Sequence, residues 1–216
     1  MRFIITTGPT REFIDPFRFI SNPSSGKMGY ALARAVVEQG GDVILISGPV
    51  TQPPVSGVVL ISVISALEMR EEVNKHISSA DVVIMAAAIS DYRPAHFSKS
   101  KIKKSASEIS IPLTKNPDIL KELGEDKGDR ILVGFSAETD NIVDNAIKKL
   151  KSKNLDLIIA NDISASGSGF HSETNQVILI DSRERVEEWP LMSKTELAQR
   201  IIQQIIDNYL PSRGER

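Results

Sequence analysis

The chain has no cysteine among its 216 residues. Disulfides, thiolate metal sites and a cysteine nucleophile are therefore excluded from it. It has no long apolar run of membrane-spanning length and no N-terminal signal pattern, which favours the cytosol. Charge of one sign is also lacking: the formal net charge is −2 and the pI about 6.0, so no global attraction to nucleic acid or to an anionic membrane is expected, although a local basic patch could still bind phosphates. The three histidines, His76, His96 and His171, lack metal-ligand spacing. What remains is 41% hydrophobic and 25% charged, enough for one substantial core without internal repeats or an interdomain linker.

The stretch Ser21 to Gly29, SNPSSGKMG, lies between the first apolar run and the first amphipathic segment. Its small residues allow close backbone approach, and a helix beginning near Ser25 would aim free N–H groups at an anion. It fails the P-loop pattern at both ends, with Ser21 where glycine is required and Met28 where Ser or Thr is required. Ser24, Gly26 and Gly29 keep the spacing of the dinucleotide fingerprint with serine at its first position, yet no carboxylate closes the second strand, VILISG. A ligand-binding loop and a structural glycine-rich turn both remain open from spacing alone.

Alternation of strand-like and helix-like patterns predicts an α/β fold, a doubly wound, mostly parallel Rossmann-like sheet covered on both faces. The expected strands are Arg2 to Thr7, Asp42 to Ser47, Val58 to Val63, Asp81 to Met85, Arg130 to Ser136 and Leu155 to Ala160. The expected helices are Ser25 to Gln39, Ala66 to Ile77, a short one ending near Leu123, Asp140 to Lys151, and Lys194 to Tyr209. Between Pro9 and Ile20 the pattern is too irregular for a helix; Arg11 and Arg18 could reach a ligand anion or pair with Glu12 or Asp15. Asn116 suits the N-cap of the short helix, with Pro117 and Asp118 in its first turn. Gln176 to Asp181 and Glu184 to Glu188 read as an antiparallel edge after a Gly/Ser-rich loop. Ligands of such sheets lie at the carboxyl ends of the strands, after Thr6, Ser47 and Met85.

The fourth strand runs into AAAISDYRP, Ala86 to Pro94, where three alanines suit a wall for a ligand and Asp91 offers a carboxylate or caps a turn. Lys99, Lys101, Lys103 and Lys104 follow. They form a basic flap for phosphate or a solvated loop, on a hairpin of about residues 92–114 that returns through Glu108 to Leu113. Phe135 either contacts a base or fills core. Lys149 and Lys153, four apart, share a face if the helix continues that far.

Taken in order, ITTGPTREFIDPFRFISNPSSGKMG, MAAAISDYRP, KIKK, KNPDIL, VGFSAET and KNLDLIIAND resemble the phosphopantothenoylcysteine synthetase family, also called phosphopantothenate-cysteine ligase, over nearly the whole chain. The resemblance implies a single ligase domain, 1–216, that joins 4′-phosphopantothenate to L-cysteine in coenzyme A biosynthesis. The route is an acyl-nucleotidylate, with CTP (or ATP) giving CMP (or AMP) and pyrophosphate. Magnesium accompanies the triphosphate, without assigned protein ligands. The family's flavin-dependent decarboxylase partner is not matched, so no flavin is expected.

By motif, Met85, Ala86, Ala87 and Asp91 contact nucleotide, and Lys101 stabilises charge at the α-phosphate. Pro117, Asp118, Ile119 and Leu120 face the triphosphate, with Phe135, Lys149 and Lys153 completing that site. Asn22, with Arg18 and the backbone around Ala88, holds and converts the intermediate, beside Gly26 and Lys27. Pro23, Ser90 and Glu173 depart from the commonest family pattern. The resemblance further implies a homodimer, paired through the hairpin or an edge at about residues 165–190, with neither nucleic acid nor membrane as partner. An NAD(P)-dependent oxidoreductase and a non-catalytic protein binding a nucleotide or pantothenate derivative are the rival readings.

Overall fold

The computed structural model describes residues 1–103, 108–138, 140–162 and 172–210. Lys104, His171 and most of the Gly/Ser-rich loop lie outside the described residues. Six apolar runs form parallel strands: β1 (Arg2–Thr7), β4 (Asp42–Ser47), β5 (Val58–Ser62), β6 (Val82–Met85), β9 (Ile131–Glu138) and β10 (Leu157–Asp162). They stand in the order β5-β4-β1-β6-β9-β10, so the direction of winding reverses between β1 and β6. That is the strand order of the doubly wound dinucleotide-binding folds, whose crevice opens where the order reverses. Two strands, β11 (Thr174–Asp181) and β12 (Val186–Ser193), continue the sheet beyond β10 in antiparallel fashion.

Alternation along β1 explains why both faces must be covered. Phe3 and Ile5 point into one core, together with Tyr30, Leu32 and Val36 of α1 (Lys27–Glu38) and Leu197, Ile201 and Ile205 of α5 (Lys194–Tyr209). Ile4 points into the other, with Met69 and Val73 of α2 (Ala66–His76), Leu120 and Leu123 of α3 (Ile119–Glu125), and Ala146 and Leu150 of α4 (Ile142–Ser152). A period of two along β1 meets a helical stripe on either side, whereas Val59 and Leu60 of the edge strand β5 stay exposed.

Several local expectations are corrected. The irregular stretch after Gly8 contains a small hairpin, β2 (Arg11–Phe13) with β3 (Phe19–Ser21), closed by Phe13 against Phe19 with ring centroids 5.3 Å apart. The second hairpin pairs β7 (Tyr92–Pro94) with β8 (Leu113–Lys115), so its return strand begins where Glu108 to Leu113 was expected to end. The edge strand is Val186–Ser193, not Glu184 to Glu188, because Asp181 first closes a turn by accepting from the N–H groups of Arg183 and Arg185, both at 2.9 Å. The first helix starts at Lys27 instead of Ser25, since Gly26 takes the left-handed φ of 73° ahead of it. The N-cap of α3 is Asp118, which accepts from Lys121 N–H at 3.1 Å, and not Asn116. Lys153 follows the last residue of α4 as its C-cap.

The seating of α1 on β1 leaves no room for a side chain at Gly29. An added Cβ would lie 2.3 Å from Thr7 Oγ1 and 2.4 Å from its Cβ. Gly29→Ala is accordingly expected to destabilise the fold by about 1–3 kcal/mol through overpacking. Urea unfolding with an unchanged m-value checks this, and a midpoint equal to wild type contradicts the contact.

Candidate active site

The carboxyl ends of β6, β9 and β10 and the loop leading into α1 enclose a cleft of about 510 Å³, of the size that holds a nucleotide-sized ligand. One wall is the alanine stretch. It does not end with β6: Ala86 N–H donates to Thr6 O at 3.2 Å, Ala88 N–H to Gly8 O at 2.8 Å, and Thr10 N–H to Ala88 O at 3.3 Å. Ladder bonding thus runs past the end of both strands and holds Met85, Ala86, Ala87 and Ala88 flat against the cleft. Thr10 Oγ1 accepts from Ser90 N–H at 3.0 Å and fixes the turn that carries Asp91.

The opposite wall is the SNPSSGKMG loop. Thr7 Oγ1 donates to Gly26 O at 2.9 Å, which anchors the start of α1 to the end of β1. Asn22 reaches across from this loop, and its Nδ2 donates to the carbonyls of Ala88 and Ile89, each at 3.2 Å. Asn116, expected to cap a helix, instead donates from Nδ2 to Ser90 O at 2.8 Å and accepts from the Arg93 guanidinium at 3.0 Å, joining the base of the β7–β8 hairpin to the alanine wall.

Electrostatically the cleft differs from the chain as a whole. Lys27 from the start of α1, Lys149 from α4, Lys153 from the end of α4 and Lys194 from the start of α5 all line it, against the carboxylates of Asp91 and Asp118. Lys153 Nζ is 2.9 Å from Asp118 and so ties the α4 terminus to the N-cap of α3. Lys27 forms an ion pair with Glu173. Lys194 is 7% exposed; burial first, then the charge of Lys27, pushes its ammonium pKa down, with Glu173 opposing. Sequence reasoning missed Lys194, Asn161, Asn175 and Ser136 as cleft residues. For Lys194 a signal existed, a cation at the first position of a helix, where the dipole disfavours it.

Of the predicted residues, Asn22, Gly26, Lys27, Met85, Ala86, Ala87, Ala88, Asp91, Pro117, Asp118, Ile119, Leu120, Phe135, Lys149 and Lys153 line one cleft. Arg18 and Lys101 do not. Arg18 is bound to the buried Asp15 through Nε at 3.1 Å and a terminal nitrogen at 2.5 Å, the ion-pair alternative of the sequence reading. Lys101 stands 5.1 Å from the Phe17 ring centroid. Both belong to a node centred on Asp15, which also accepts from the N–H groups of Phe17 at 2.9 Å and Ile102 at 3.1 Å; Arg18 in turn donates to Ile102 O at 3.2 Å. The Arg18 guanidinium holds the Asp15 carboxyl far below the usual carboxylate range, against burial and with help from these backbone donors.

Among the described residues no group of three or more His, Cys, Asp or Glu side chains is placed to hold a metal, and no helix is long and apolar enough to cross a membrane.

The Asp15 node generates a pH dependence. A carboxyl whose folded pKa is depressed contributes stability above about pH 4 and loses it progressively as the pH falls toward the folded value. Hydrogen exchange at the Ile102 amide, corrected for intrinsic rate, is therefore expected to lose protection below about pH 4. Asp15→Asn should show the reduced protection already at pH 7; equal protection in both proteins would remove Asp15 as the anchor of this segment.

Comparison with known proteins places the geometry in a family context. The family model described as "DNA/pantothenate metabolism flavoprotein C-terminal domain" matches residues 1–209. The coenzyme A biosynthesis bifunctional protein CoaBC of Bacillus subtilis (strain 168) is 49% identical over 203 residues, 94% of this chain and 50% of that protein. The chain spans about half the length of the curated relatives it matches. The crystal structure of the C-terminal domain of a CoaBC protein superposes with a TM-score of 0.81 at 44% identity, covering 94% of this chain and 93% of that one. A Cab2 mutant in complex with phosphopantothenate-cysteine has the same fold, with a TM-score of 0.80 at 18% identity, over 96% of this chain and 86% of that one.

Proposed function

The chain belongs to the DNA/pantothenate metabolism flavoprotein C-terminal domain family, and from that premise we propose that it is the phosphopantothenate-cysteine ligase of coenzyme A biosynthesis. The observation that carries this reading is Asn22, whose carboxamide binds the carbonyls of Ala88 and Ile89 across a cleft that gathers four lysines from separate parts of the chain. Such a cleft suits two polyanions that must be brought together, which is the electrostatic problem of activating a phosphorylated carboxylic acid with a nucleoside triphosphate.

In the first step a carboxylate oxygen of 4′-phosphopantothenate attacks the α-phosphorus of CTP (or ATP). The bond from that phosphorus to the bridging oxygen breaks, and pyrophosphate leaves. In the second, the amine of cysteine attacks the acyl carbon, loses a proton and expels CMP (or AMP). Without activation the carboxylate has no adequate leaving group. Met85, Ala86 and Ala87 form the nucleotide wall beside Asp91 and Phe135, and Lys149 and Lys153 face the triphosphate with the Pro117 to Leu120 turn. Asn22, Gly26, Lys27 and Ala88 hold the acyl-nucleotide.

Lys101 is assigned to the α-phosphate in this reading, and Arg18 to the support of the segment that carries it; the link through Asp15 and Ile102 favours such a coupling. Magnesium enters with the triphosphate, on phosphate oxygens and water. The exposed Phe17, Tyr92 and Phe97 of the two hairpin regions are the apolar surface assigned to a homodimer.

Incubation with phosphopantothenate, magnesium and each triphosphate, with and without cysteine, tests the reading. Pyrophosphate is expected without cysteine, and the phosphopantothenoyl-cysteine amide only with it. Lys101→Ala should slow pyrophosphate release by about 10²–10³-fold, through uncompensated charge at phosphorus. Asn22→Ala should let the acyl-nucleotide accumulate. Binding of CTP without any pyrophosphate release would leave a non-catalytic binding protein, and saturable binding of NADH or NADPH in its place would favour the oxidoreductase.

A further inference from the structure

Four consecutive carbonyls, those of residues 88–91, all accept hydrogen bonds where the alanine wall turns toward the β7–β8 hairpin, and each accepts from an asparagine. Asn22 Nδ2 serves Ala88 and Ile89. Asn116 serves the next two: its Nδ2 donates to Ser90 O at 2.8 Å, and its backbone N–H donates to Asp91 O at 2.8 Å. The Asn116 side chain is itself tied down, since Oδ1 accepts from the Arg93 guanidinium at 3.0 Å, and the same Arg93 nitrogen donates to Lys115 O at 2.6 Å.

Local sequence puts Asn116 in this place. Pro117 follows it, and the residue before a proline is steered away from helical backbone toward an extended one. Asn116 accordingly adds one further pair, with Asp91, to the β7–β8 register in which Tyr92 stands opposite Lys115. Asp118 caps α3, so the Asn116 carboxamide is left to bind the turn.

Asp91 depends on this support. It is exposed and lies between β6 and β7, inside neither strand, so the bonds of its own turn decide where its carboxylate stands. Thr10 Oγ1 holds Ser90 N–H from one side at 3.0 Å, and Asn116 holds Ser90 O and Asp91 O from the other. Residues 117–120 begin at the carbonyl of Asn116 and line the same cleft as Asp91. One residue therefore fixes the spacing of the two segments between which the ligase reading lays the nucleotide, and it does so before a ligand binds.

We propose that Asn116 is the positioning residue for the nucleotide half of the cleft: through the carbonyls of Ser90 and Asp91 it holds the Asp91 carboxylate in register with residues 117–120. Asn22 holds the neighbouring half of the same turn, so two carboxamides divide the wall between the two substrates. This rests on the ligase reading only in taking the occupant of the Asp91 half as a nucleoside triphosphate. The Asn116 donor to Ser90 O acts on the turn, whereas the tie to Arg93 serves the hairpin base.

Titration calorimetry on the whole chain tests this, with CTP and ATP in the presence of magnesium and, separately, with 4′-phosphopantothenate, against wild type, Asn116→Ala, Arg93→Gln and the double variant. Asn116→Ala should weaken the triphosphate that wild type binds by about tenfold, and leave phosphopantothenate within about twofold of wild type. Arg93→Gln should cost the triphosphate no more than about threefold, and the double variant should bind it no more weakly than Asn116→Ala alone. In turnover, Asn116→Ala should raise the KM for the triphosphate and keep kcat at saturation within about threefold, a split that general loosening of the site would not give. Asn116→Ala binding the triphosphate as wild type does overturns the proposal. So do equal losses for the triphosphate and phosphopantothenate, an Arg93→Gln loss as large as that of Asn116→Ala, and failure of wild type to bind either triphosphate. If the binding series behaves as expected but phosphopantothenate never elicits pyrophosphate, the positioning role stands and the ligase reading falls.

Discussion

The contact between the start of α1 and the end of β1 is the constraint on which the site depends. Thr7 Oγ1 binds Gly26 O while Gly29 sits so close to Thr7 that no Cβ would fit. The helix is thereby drawn down against the sheet at its N-terminal end, and the loop before it is forced to run along the mouth of the crevice. Asn22 can then span to Ala88 and Ile89, which are themselves held in line because ladder bonding continues past the ends of β1 and β6. The alanine wall of the cleft is therefore an extension of the central sheet, and the backbone groups of Ala86 and Ala88 that pair with Thr6, Gly8 and Thr10 are bonded before any ligand arrives.

Charge is distributed with the same economy of elements. A chain that is slightly acidic overall places Lys27, Lys149, Lys153 and Lys194 around one cavity, and each comes from a helix terminus or its last turn. At the α4 end the lysines lie where a helix C-terminus welcomes a cation. At the other end Lys27 pairs with Glu173, and Lys194 opens α5 with Glu196 in the same first turn.

The hairpins stand apart from this scheme. Their attachment is polar and specific, through Asp15, Arg18 and Ile102 on one side and Asn116, Arg93 and Ser90 on the other. Their outer surface is apolar, with Phe17 at 67% and Phe97 at 54% exposure. Asp15 is buried and satisfied by five donor contacts from three residues, so it gives the segment around Lys101 a defined place although few core contacts reach it.

The amino-acid sequence by itself determined the layers. Period-two runs such as Phe3-Ile4-Ile5 and helical stripes such as Leu32 and Val36 each carry their own geometry, and their alternation implies a parallel sheet with two covered faces. It also determined most of the cleft, because strand ends and helix starts are local features and a doubly wound sheet brings them to one edge. Tertiary structure decided what depends on partners distant in the chain. Asn116 and Asp118 are both good caps by residue type, and only the position of Ser90 and Arg93 draws Asn116 away and leaves the cap to Asp118. Arg18 had a ligand and Asp15 open to it until the β2–β3 turn brought the carboxylate within 2.5 Å. Lys194, Asn161, Asn175 and Ser136 acquire meaning only when β9, β10, β11 and α5 are assembled, since burial and the pairing of a polar atom are properties of surroundings that no local pattern encodes.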